Sequence, residues 1–280
     1  MGLVAMEHMK FPENKRILSD DLAYPILPFI MRAAIKIKAG PFPGDFIVKQ
    51  AEKKVPGLWG SIMCRKRYID DRVSEAVENG EVGAVVNLGA GYDTRAYRLP
   101  ALERVPVFEL DQPKTVEDKR SRLTKLFGKI PDHVTLVPID FDREDLDTVL
   151  KSSEWKADVK TFFILEGVTQ YLTEAGVRST FDLLARASSG SRLLLTYVRE
   201  DFLNGENMCG LNFLYDKMVK KDGIWLFGID PERVADLLDG YGWNVLEHLG
   251  YEELFDEYVK PTGRSLVTMP IERVVYAEKV

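Results

Sequence analysis

The stretch VVNLGAGYDTRAYRL, residues 85–99, limits what this chain can fold into more than any other part of it. A mostly apolar run leads straight into a Gly-Ala-Gly turn, and a helix-compatible segment follows. An apolar run of this kind reads as a strand buried on both faces of a parallel sheet. Ending it in glycines exposes backbone N–H groups, with no Cβ to hold a ligand away. Gly89, Ala90 and Gly91 are therefore a candidate cofactor cradle.

The pattern around this unit is regular. Apolar strand candidates lie at 84–88, 105–110, 134–139, 161–165, 193–198, 245–249 and 274–277, with helical stretches near 94–103, 113–127, 143–151, 173–187 and 231–239 between them. Such alternation predicts an α/β fold: a doubly wound, seven-stranded, mostly parallel sheet that binds ligands at the carboxyl ends of its strands. A single domain of 280 residues accommodates it. Residues 1–80 read as an N-terminal helical cap, broken early by Pro12, Pro25, Pro28, Pro41, Pro43 and Pro56. An amphipathic helix follows over 61–79, ended by Gly80. Residues 81–198 are the cofactor-binding core, and 231–280 complete it. Between them, 199–230 replace a short link with an aromatic-rich insertion after the fifth strand, read as a lid or a small surface subdomain.

The turn is a poor pyrophosphate site. A dinucleotide fingerprint needs a third glycine, but Tyr92, Asp93 and Thr94 follow Gly91, and no GK[ST] loop is present. The pattern suits a ligand with an amino-acid portion and a ribose but no phosphates, namely S-adenosyl-L-methionine. Acids after the next three strands agree. Asp111 closes the second strand, where a carboxylate can accept from ribose hydroxyls, as it also does in nicotinamide enzymes. Asp140, with Phe141, closes the third and could meet an adenine amino group and ring face. Glu166 closes the fourth, placed to meet a cationic amino group.

These residues carry a family resemblance. ILSDDLA (17–23), CRKRYIDD (64–71), VVNLGAGYDTRAYRL, VFELDQP, IDFDRED and LEGVTQYLT occur in family order over roughly residues 15–190. The chain resembles class I S-adenosylmethionine-dependent methyltransferases, and within them the group joining leucine carboxyl methyltransferases to polyketide O-methyltransferases of the tetracenomycin type. The resemblance implies that Gly89 lies against the methionine part of the cofactor and that Asp111 holds the ribose. It implies that Asp140 and Phe141 frame the adenine, while Glu166 faces the amino group or the transfer site. Arg65 corresponds to the arginine that pairs with the methionine carboxylate, and Lys15 to a lysine of similar task. The chain departs from the family in carrying Asp21 where an Asp-Pro pair has its proline.

The acceptor is constrained more loosely. A carboxylate is already ionised at neutral pH, whereas a phenol benefits from a base. Only His8, His133 and His248 occur, and their places favour structural roles. The expectation is O-methylation of a carboxylate or acidic hydroxyl on a small organic molecule, with Tyr171 and Arg199 orienting the acceptor oxygen. Alternatives are a protein C-terminal carboxyl methyltransferase, a nicotinamide-dependent oxidoreductase and a non-catalytic S-adenosylmethionine-binding protein. Formal net charge of −6 argues against a nucleic-acid partner. Two cysteines and no HExxH or CxxC suggest no metal and a reducing, cytoplasmic setting. With no apolar run near the ~20 residues of a membrane span, no membrane partner is expected; nothing fixes the oligomeric state.

Overall fold

Every residue of the strand leading into the glycine turn, Ala84–Leu88 (β1), is buried, as a strand covered by helices on both faces must be. The computed structural model describes the backbone of residues 1–280 and the side chains of all but residues 38 and 39. Around β1 lie Val107–Asp111 (β2), Val134–Pro138 (β3), Thr161–Leu165 (β4), Arg192–Val198 (β5), Trp243–Leu249 (β6) and Glu272–Lys279 (β7). They form one sheet in the order β3-β2-β1-β4-β5-β7-β6. The first five run parallel, and β7 pairs antiparallel with both β5 and β6.

Alternation of side chains across the pleat divides the core in two. Val85, Phe162, Ile164 and Leu194 face one way, into a cluster with Tyr68, Ile69 and Val73 of the helix Leu58–Glu78. Val86, Phe163, Leu165 and Leu195 face the other, toward Phe181 and Leu184 of the helix Glu174–Leu184. That second helix starts as its sequence dictates, with the Thr173 hydroxyl accepting from the Gly176 N–H at 3.1 Å. The first ends at Gly80, whose φ of +70° lets the N–H groups of Gly80 and Glu81 fold back on the Val77 and Ala76 carbonyls.

The cap is helical at Gly2–Lys10, Phe29–Ala39 and Gly44–Glu52. It is pinned by Glu7, which is fully buried. Its carboxylate accepts from the Trp59 indole at 2.7 Å, from Arg264 Nη1 at 2.6 Å and from the Ile17 N–H at 2.9 Å. Within 199–230, Phe202, Leu211, Leu214 and Tyr215 form a third cluster with Val198, Met269 and Ile271. The insertion thus rests on the carboxyl end of β5 and the approach to β7.

Candidate active site

The order of the sheet reverses between β1 and β4, and the loops leaving these two strands meet. Gly89 has φ +73°, and a Cβ built there would come within 2.4 Å of Val168 Cγ2 in the loop after β4. Gly91 has φ +47°, but a Cβ there would meet only Asp111 Oδ2, at 4.0 Å. Gly89 is therefore required by packing and Gly91 leaves open space beside the turn.

The turn does not present free N–H groups, contrary to the sequence expectation. Gly89 and Ala90 donate to the Leu110 carbonyl at 2.8 and 2.9 Å, and Gly91 donates to Asp111 Oδ2 at 2.7 Å. The backbone donors are consumed in tying β1 to β2, because adjacent parallel strands must satisfy their terminal donors. What the turn offers a ligand is room and the Asp111 carboxylate, whose Oδ1 also accepts from the Gln112 N–H at 2.8 Å.

Charged side chains converge beneath the turn. Arg95, only 1% exposed, donates through Nε to Asp70 Oδ1 at 3.1 Å and through Nη2 to Glu166 Oε2 at 3.0 Å. It also pairs with Asp93. Arg98 joins Asp70 at 2.6 Å, and Thr94 donates to Asp20 at 2.6 Å. Arg65 Nε reaches Glu166 Oε1 and Lys66 Nζ reaches Glu166 Oε2, both at 3.1 Å, while Arg65 Nη1 pairs with Glu272. Burial alone would raise the Glu166 carboxyl, but Lys66, Arg95 and Arg65 override it and hold it down to about 2. Asp93 is likewise held far below the ordinary carboxylate range by Arg95, Lys66 and Lys119 against its own burial.

Glu166 thus differs from its sequence reading. It is surrounded by three cations of the protein itself, and it fixes Arg65. Arg65 keeps Nη2 without a protein acceptor among the described residues, and that nitrogen borders Gly167. The geometry suits donation to a carboxylate from that one nitrogen.

Beside Arg65 lies a cavity of about 320 Å³. Its walls come from the loop after β4 (Gly167, Gln170, Tyr171), the insertion (Phe213, Trp225) and Glu272 of β7. Tyr171 stands edge-on to Trp225, with ring centroids 6.4 Å apart. Buried polar atoms of Gln170, Trp225 and Glu272 have no hydrogen-bond partner among the described residues. Larger grooves lie along Glu174–Asp236 and around Lys15. The glycine turn lines none of these, and the cavity beside Arg65 is linked to it only through the loop after β4.

The structure brings Arg65, Gly89, Ala90, Gly91, Asp111, Glu166 and Tyr171 to this one edge. Asp140 sits at the end of β3, its Oδ1 accepting from the Asp142 N–H at 3.2 Å. Phe141 is 8% exposed and belongs to the core beneath the sheet, so little of its ring is left for a ligand. Two expectations are not met by position. Arg199 is held by Asp201, at 2.5 and 3.0 Å, and lines a separate groove with Glu200 and Arg273. Lys15 is exposed in a short turn and lines the groove with Asp45 and Arg264, making no ion pair among the described residues. Sequence reasoning passed over Lys66, Asp70, Arg95, Gln170 and Glu272. Lys66, Asp70 and Arg95 lie inside the quoted motifs, which were their signal; Gln170 is also in one, and Glu272 has none.

No histidine lines the cavity. His133 Nε2 lies 2.9 Å from the Ala96 carbonyl. His248 sits between Tyr197 and Arg273, and burial pushes it down to about 4. His8 Nδ1 accepts from the Asp20 N–H at 3.2 Å.

Comparison with known proteins settles the family. Residues 2–185 match the leucine carboxyl methyltransferase family. The chain belongs to that family. A protein of Mycobacterium marinum, provisionally named an S-adenosyl-L-methionine-dependent methyltransferase, is 30% identical over 88% of this chain and 85% of its own length. A similarly named protein of Mycolicibacterium gilvum is 37% identical over 48% of this chain, which spans 44% of that relative. In fold, the chain resembles a provisionally named methyltransferase of Thermobifida fusca, with TM-score 0.61, 14% identity, and coverage of 85% and 89% of the two chains. The sheet is that of class I methyltransferases, and family membership makes S-adenosylmethionine the cofactor. The nicotinamide-dependent reading is thereby overturned.

The residues present fit this cofactor. The open space at Gly91, the carboxylate of Asp111 and the uncommitted Nη2 of Arg65 offer room, an acceptor for hydroxyls and a partner for a carboxylate.

Proposed function

We propose that this leucine carboxyl methyltransferase family member is an S-adenosylmethionine-dependent O-methyltransferase acting on a carboxylate or acidic hydroxyl of a small organic, polyketide-like molecule. One observation carries this reading. The loop after β4 serves both sides of the reaction: Val168 packs against Gly89 of the cofactor turn, and Gly167, Gln170 and Tyr171 wall the cavity.

In this reading Gly91 leaves space for the cofactor, Asp111 receives its ribose and Asp140 borders its adenine, with the mostly buried Phe141 offering at most its ring edge. Arg65 holds its carboxylate, and Glu166 acts as a positioning residue that sets the Arg65 fork. Bound there, the cofactor supplies an electrophilic methyl on a sulfonium. The protein's task is then alignment of an acceptor oxygen within ~3–3.5 Å, with water kept out. Tyr171, at the cavity wall, is the residue placed to orient that oxygen. Arg199 is not proposed for this task, since Asp201 engages it. Lys15 is set aside as well, for want of any contact with the turn.

The absence of histidine from the cavity wall supports an acceptor that needs no imidazole base, hence a carboxylate or an acidic hydroxyl. The cavity's aromatic walls and modest size favour a small molecule over a protein tail.

The test is methyl transfer from radiolabelled S-adenosylmethionine to a metabolite extract, wild type against Asp111→Ala. Label in product with wild type and its loss in the variant is the expected outcome. Alkali releases methanol from a methyl ester but not from an aryl ether, which separates the two acceptor classes. Tight cofactor binding without any labelled product would leave a binding protein and sink the enzymatic reading.

A further inference from the structure

The helix Phe29–Ala39 is inside out. Ile35 is its buried contact with the core, whereas Phe29, Ile30 and Ile37 are 76%, 80% and 78% exposed. At 3.6 residues per turn, Phe29, Ala33 and Ile37 stack on one outward stripe with Ile30 beside it. Phe42 and Phe46 extend the surface, stacked with ring centroids 5.0 Å apart and each nearly half exposed. Scattered single apolar residues on a surface are ordinary, but a contiguous stripe of this size marks a contact.

Charge decides the occupant. The chain carries net −6, yet residues 22–54 hold six basic residues (Arg32, Lys36, Lys38, Lys49, Lys53, Lys54) against only two acids, Asp45 and Glu52. Lys36 is exposed on the outward helix, and Phe46, Lys49 and Lys53 follow at helical spacing with all three side chains exposed. Basic side chains flanking an exposed apolar stripe complement an anionic, lipid-like surface. A second copy docked by two-fold symmetry would instead set these cations against their own images. The helices, of 11 and 9 residues, are too short to span a bilayer and would lie in its surface.

We propose that the outward face of Phe29–Ala39, extended by Phe42 and Phe46, docks the protein on anionic membrane surfaces. This revises the expectation of no membrane partner, which rested on the lack of a spanning segment; interfacial binding needs none. The proposal is independent of the methyl acceptor.

The experiment is co-sedimentation of the full chain with phosphatidylcholine vesicles, with and without phosphatidylglycerol, at low and high salt. The expected result is binding to phosphatidylglycerol vesicles that weakens at high salt. Combined Phe29→Ser, Ile30→Ser and Ile37→Ser should reduce it at least about tenfold, and so should Lys36→Glu with Lys49→Glu. Far-ultraviolet circular dichroism of each variant checks that the fold is kept; if the triple variant does not fold, the charge variant alone decides. Failure to bind any vesicle, equal binding of phosphatidylcholine alone, or undiminished binding by the variants would overturn the proposal. So would a dimer in light scattering that the triple substitution dissolves, which would assign the face to a second copy.

Discussion

Arg95 shows what a single side chain contributes here. Its guanidinium joins the β1 turn at Asp93, the long helix at Asp70 and the end of β4 at Glu166. Removing one member of such a buried set strands the opposite charges, at a cost of ~3–5 kcal/mol. Arg95→Met is expected to lose that much in urea unfolding, and a loss below 1 kcal/mol would contradict the account. Acid should act on the same cluster. Glu166 ordinarily titrates at 4.5 but is held at about 2 in the fold, so its contribution is complete above pH 4.5 and lost as pH falls toward 2. Glu166→Gln should therefore be less stable than wild type at pH 6, with the gap closing across that window. His248 carries the same sign at higher pH. With its folded value lowered from 6.5 to about 4, it contributes above pH 6.5 and opposes folding as pH falls toward 4. Replacing it with Gln should flatten the fall in thermal midpoint between pH 6.5 and 4.

At the scale of elements, the junction of two loops sets the tolerance of the glycine turn. Gly89→Ala meets Val168 Cγ2 in addition to its left-handed backbone, whereas Gly91→Ala meets only the backbone penalty of ~1–2 kcal/mol. Denaturant unfolding should rank Gly89→Ala as clearly the more damaging. Gly91→Val should keep most of its stability while losing S-adenosylmethionine binding in calorimetry, because its side chain fills the space beside Asp111. The turn and the strands around it were legible in the sequence because their signals are local: an apolar run, glycines at positive φ, an acid after the strand. The Arg95 cluster was not assigned, since its partners lie 25 and 71 residues away. The same holds for Arg65 and Glu272, 207 residues apart, which only the closing of β7 against β5 brings together.

Taken as a whole molecule, the chain places its glycine turn, the cavity beside Arg65 and its exposed apolar face on one scaffold, each made differently. The cavity needs the insertion, the loop after β4 and β7 at once, so no stretch of sequence announces it. The outward stripe of Phe29–Ala39 was hidden for a related reason. Periodicity shows that a helix is amphipathic, but not which side the core takes, and here the core takes Ile35. Arg199 and Lys15 illustrate the reverse case: plausible by position along the chain, they are turned to other partners and grooves by packing. By itself, the sequence determined the strand–helix alternation, the glycine turn after β1 and the acids that follow it, because each depends on residues close together in the chain. The tertiary structure alone decided which charges pair, which donors stay free and which apolar face meets solvent. Those outcomes depend on contacts between distant segments, and long-range contacts exist only once the sheet has closed.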